Sequence, residues 1–94
     1  MPLVSFDALP DHARLWIFGA SRALARDESA WLLQHVDAYL GTWTAHGAPL
    51  RVGRDWRHDQ FLMVAVDESG AGASGCSVDG LVRSIRLEIG RAHV

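Results

Sequence analysis

The six residues Phe61-Leu62-Met63-Val64-Ala65-Val66 form the longest unbroken apolar run in the chain. A bilayer span needs about 20 such residues, so this run is not one. Polar residues bound it on both sides, Asp59-Gln60 before and Asp67-Glu68 after. A short, Val-containing apolar run with such bounds reads as a strand covered on both faces, placed centrally in a sheet. The remaining chain must supply that cover. With 94 residues, 49% of them hydrophobic and 21% charged, it can build one globular domain and little more.

Residues Arg14 to Ala20 (RLWIFGA) are strand formers, with Leu15 and Ile17 on one face and Trp16 and Phe18 on the other. Apolar residues on both faces predict a second interior strand. Asp27 to Trp43 reads as a helix. Its acidic start suits the positive end of the dipole. Leu33, Val36, Leu40 and Trp43 share one face, widened by Leu32 and Tyr39. His46-Gly47-Ala48-Pro49 ends that element. Leu50 to Arg57 places Leu50, Val52 and Trp56 opposite Arg51, Asp55 and Arg57, the pattern of a half-exposed strand. His58-Asp59 fits a tight turn. The small-residue stretch Ser69 to Ser77 is a loop, and Val78, Leu81, Val82 and Ile85 mark a second amphipathic helix.

The order β-α-β-β-α predicts an α+β fold of two layers, an incomplete ferredoxin-like (split βαβ) arrangement with both helices on one face of the sheet. The first and third strands are expected to be central. The expected core draws on Leu15, Ile17, Leu62, Val64 and Val66 from the sheet. From the helices it takes Leu33, Val36, Leu40, Val78, Leu81, Val82 and Ile85.

Net charge is −2, with no basic excess for nucleic acid or an acidic membrane surface. Arg51, Arg54 and Arg57 are interrupted by Asp55, and a solvated face explains them better than a nucleic-acid contact. Every one of the nine basic residues is Arg, and Asn is absent too. Both absences follow from a GC-rich coding sequence. The single cysteine, Cys76, cannot form an intrachain disulfide, and the N-terminus lacks the basic start and apolar stretch of a signal peptide. Cytoplasm is the expected compartment.

The chemistry-bearing residues gather around the Ser69–Ser77 loop. Small residues that leave a central strand and open a helix let backbone N–H groups approach an anion. The expected ligand-binding residues are Ser74, Gly75, Cys76, Ser77 and Asp79. The alternative is a plain connection whose glycines serve only the backbone. A thiol at a helix start gains thiolate character. This gives Cys76 as nucleophile, His46 as base and Asp67 as its orienter, against the alternative of a small buried filler. Asp67, Glu68 and Asp79 lack calcium-loop spacing, and capping is the better use of Asp79 with Ser74 or Ser77. His46, His58 and Cys76 lack zinc-ligand spacing. No cofactor and no metal is implied. With no complete catalytic constellation, the chain reads as a non-catalytic binding or interaction module for a small anionic ligand or a protein partner.

The strings Trp43-Thr44-Ala45-His46-Gly47 and Ala65-Val66-Asp67-Glu68-Ser69, with Ala73-Ser74-Gly75-Cys76-Ser77-Val78-Asp79, resemble a family of small bacterial proteins often labelled "ABC transporter ATPase". Leu9-Pro10, Arg14-x-Trp16-Ile17 and Ser21-Arg22-x-Leu24 extend the resemblance across Phe6 to Glu88. It implies no established activity. The label itself fails on chemistry, because a phosphate-cradling G-x-x-x-x-G-K-[ST] loop needs a Lys and this chain has none. Ala25 departs from the pattern at a position where Thr would cap a helix. Members of the family continue beyond this C-terminus. Ile89-Gly90-Arg91-Ala92-His93-Val94 also matches the translation of a common sequencing-library adapter. Residues 1–88 are therefore expected to form a single truncated domain, and 89–94 a non-native tail.

Overall fold

The computed structural model describes residues 4–42, 44–45, 48–49, 51–67 and 75–92. A 3-10 turn, Phe6–Ala8, leads into strand β1 (Arg14–Gly19) and helix α1 (Arg26–Thr42). Two short strands, β2 (Thr44–Ala45) and β3 (Ala48–Pro49), pair as a separate ribbon. Strands β4 (Arg51–Arg57) and β5 (Phe61–Asp67) and helix α2 (Gly75–Ala92) complete the chain. The main sheet has the order β1-β5-β4, and β5 is antiparallel to both neighbours. Strands β1 and β4 are therefore parallel with β5 inserted between them, which is the split βαβ arrangement in an α+β fold.

Hydrophobic pattern fixes which sheet face is covered. Leu62, Val64 and Val66 alternate inward on β5 and are fully buried. Their register partners Phe18, Trp16 and Val52 meet the same core. Helix α1 adds Leu32, Val36 and Leu40, each four residues apart, and α2 adds Leu81, Ile85 and Ile89 at the same interval. Leu32, not Leu33, lies at the centre of the α1 face; Leu33 is half-buried. Helix α2 continues through Ala92, and Ile89 and Ala92 are buried in the core.

Two expectations are corrected. Among the described residues β1 is an edge strand, because β5 alone pairs with it there. Leu15 and Ile17 are not core residues: they are 48% and 65% exposed on the face away from the helices. Trp16 and Phe18 carry the core side instead. Val78 of the expected core lies outside the residues whose side chains are described.

Local chemistry explains the joints. His58 and Asp59 take φ of 58° and 55°, and the Gln60 N–H donates to the Arg57 carbonyl at 3.1 Å. Two successive positive φ values match the right-handed twist of the flanking strands. Gln60 is a third loop residue, and its side-chain amide donates to the Ala20 carbonyl. At the start of α1, the Glu28 carboxylate accepts from the Ala25 N–H at 2.8 Å, one half of a capping box. Arg22 clamps the same carboxylate through two nitrogens at 2.9 and 2.8 Å.

Candidate functional site

The expected loop site is only partly within the described residues. Gly75, Cys76 and Ser77 are the first three residues of α2, and Asp79 is its exposed fifth residue. Asp79 thus lies inside the helix and not at its cap. Asp67 ends β5, where it faces Arg51 across the strands and accepts from it at 3.3 Å. His46, Ser74, Glu68 and the rest of the segment from Ser69 to Ala73 lie outside the described residues, as does the distance from His46 to Cys76.

The exposed margin of β1 is described in full. The Ala20 N–H donates to the Gln60 carbonyl at 2.9 Å. In an antiparallel ladder the bonded pairs recur every second residue. Phe18, Trp16 and Arg14 therefore direct their backbone groups toward β5, and Leu15, Ile17 and Gly19 direct theirs away from the sheet. On β4 the same alternation turns the Val52 carbonyl outward, and there the Val4 N–H donates to it at 2.9 Å. Among the described residues nothing pairs with the corresponding groups of β1.

Beside this margin lies a hollow of about 530 Å³, bordered by Ile17, Phe18, Gly19 and Ser21 of the sheet side and by Arg86, Ile89 and Gly90 of α2. On the outer sheet face, the Phe61 ring lies against Gly19, where an added Cβ would sit 3.5 Å from two ring carbons. Leu15, Ile17 and Phe61 form the exposed apolar side of this region. Alternation made the strand legible in the sequence. No single residue of β1 marked it as an edge; its neighbours in the sheet do.

A second, polar hollow of about 350 Å³ lies at the opposite side, bordered by Val4, Ser5, Phe6, Asp7, Asp37, Arg54 and Asp55. Here Arg54 forms a fork with Asp37 of α1, at 2.7 and 2.8 Å. The side-chain bond to Asp37 holds the Arg54 pKa above its ordinary value, against the opposing effect of burial and with help from the charges of Asp37 and Asp55. This pair ties β4 to α1 and satisfies both charges. Among the described residues no group of three or more His, Cys, Asp or Glu side chains is arranged to hold a metal ion. No described helix is long and apolar enough to cross a membrane.

Comparison with protein-family models, with curated proteins and with solved structures gives no match to this chain.

Proposed function

We propose that this chain is a non-catalytic interaction module that binds through the edge of β1. One observation carries the reading: β1 presents outward backbone groups at Leu15, Ile17 and Gly19 next to exposed apolar side chains and a hollow. Bare strand edges attract another chain unless they are blocked by charge, proline or a covering segment. Among the described residues none of these blocks is found at the centre of β1, whose only charged residue, Arg14, stands at its first position.

A small-anion site at the start of α2, using Ser74, Gly75, Cys76, Ser77 and Asp79, is the second reading. It is favoured by a helix of 18 residues with no acidic side chain in its first turn. The reading as a thiol-dependent enzyme, with Cys76, His46 and Asp67, has less support, since Asp67 already holds Arg51. The proposal includes a cytoplasmic location and kinship with the small bacterial family that the chain resembles, but not that family's ATPase label.

The test is amide chemical-shift mapping with two probes, inorganic phosphate and an extended peptide of alternating Thr and Val. Peptide-induced shifts centred on Leu15, Ile17 and Gly19 support the edge reading. Phosphate-induced shifts at Gly75 to Val78, with none in β1, move the function to the helix start. Silence toward both probes, together with turnover lost in Cys76→Ser, contradicts both and favours the enzyme.

A further inference from the structure

The two layers of this fold differ in width. Side-by-side helices sit roughly 8–10 Å apart, whereas neighbouring strands sit about 4.8 Å apart, so a pair of helices covers about four strands. Among the described residues this sheet has three. The Arg54–Asp37 fork ties α1 to β4, so on this count of widths the uncovered space is expected on the α2 side, along β1. The hollow of about 530 Å³ lies there, with Ile17, Phe18, Gly19 and Ser21 on one side and Arg86, Ile89 and Gly90 of α2 on the other.

Resting on the interaction-module reading, we propose that the partner is an extended polypeptide segment, added along β1 as a fourth strand and carrying an acidic side chain opposite Arg86. A second copy of this chain would bring its own α2 over the joined edge, and the two helices would compete for one space. Period-two alternation then dictates the partner's pattern. Residues opposite Trp16 and Phe18 point beneath α2 and must be apolar. Those opposite Leu15 and Ile17 lie on the open face, where β-branched side chains pair best with them. The charge comes from Arg86. It is exposed, it borders both this hollow and the adjoining one with Asp79, Val82, Arg83 and Leu87, and no carboxylate among the described residues binds it.

Selection from a random-peptide display library against the full chain tests this directly. Enriched sequences alternate apolar residues and carry Asp or Glu at one fixed position, and the amide shifts they induce map to β1 and the last turns of α2. Arg86→Glu, an exposed substitution whose fold is checked by circular dichroism, weakens a selected peptide at least about tenfold. Repeating the selection on that variant exchanges the acidic residue for Lys or Arg. Peptides that bind β1 but carry no acidic residue, or ignore Arg86→Glu, overturn the acidic-strand inference and leave the edge reading standing. Shifts away from β1, or no enrichment at all, overturn both.

Discussion

The two margins of this three-stranded sheet are treated in opposite ways. At β4 the N-terminal segment lies across the edge. The Val4 N–H takes up the Val52 carbonyl, and Gly53 lets the segment press close, since a Cβ there would lie 2.9 Å from the Val4 oxygen and 3.0 Å from Phe6 Cα. Arg51, Arg54 and Arg57 add ion pairs with Asp67, Asp37 and Asp55. At β1 the strand is apolar at its centre, and its outward groups meet nothing described. Natural sheets guard their edges because bare ones recruit other strands. A domain that guards one edge by several devices and leaves the other open has an asymmetry that suits binding.

Four substitutions break or sharpen this contrast. Leu62→Ala, in the strand shared by both margins, removes a fully buried side chain and should lower unfolding free energy by about 2–5 kcal/mol in urea denaturation. Gly53→Ala should cost about 1–3 kcal/mol, because the covering segment must shift. It should also speed exchange of the Val4 amide; an unchanged rate would mean that the segment does not guard this edge. Ala25→Thr should stabilise by about 1 kcal/mol, since Glu28 already supplies the other half of the capping box. A null result in thermal denaturation would place the helix start elsewhere. Ile17→Lys, at the bare edge, should alter stability by no more than about 0.5 kcal/mol. It should nevertheless abolish binding of an extended peptide, because a charged side chain at an edge opposes strand addition.

Much of this architecture was legible in the sequence, for identifiable reasons. Phe61–Val66 read as a central strand from its length and polar bounds, and β5 is the middle strand of the main sheet. His58-Asp59 was recognisable because few residues besides Gly and Asn tolerate the left-handed region as well as Asp and His do. The Ala25 departure pointed to a weakened helix start, and the structure has half a capping box there. The status of β1 was not legible. Apolar residues on both faces describe an interior strand and equally an edge strand with an open apolar face, and sequence alone does not count neighbours. Of the candidate site, Asp67 was expected just past the central strand; it is the last residue of β5, and it pairs with Arg51. A cross-strand pair sixteen residues apart in sequence becomes evident only once the register is known. The acidic start expected for α1 is present, with Asp27 and Glu28 in its first turn.

Amide hydrogen exchange along β1, measured residue by residue on the dilute full chain, tests the open edge most directly. Trp16 and Phe18, bonded toward β5, should be protected, while Leu15, Ile17 and Gly19 between them should exchange at close to the rates of an unstructured chain. Equal protection at all five amides would mean that something already pairs with this edge, and the contrast between the two margins would be gone.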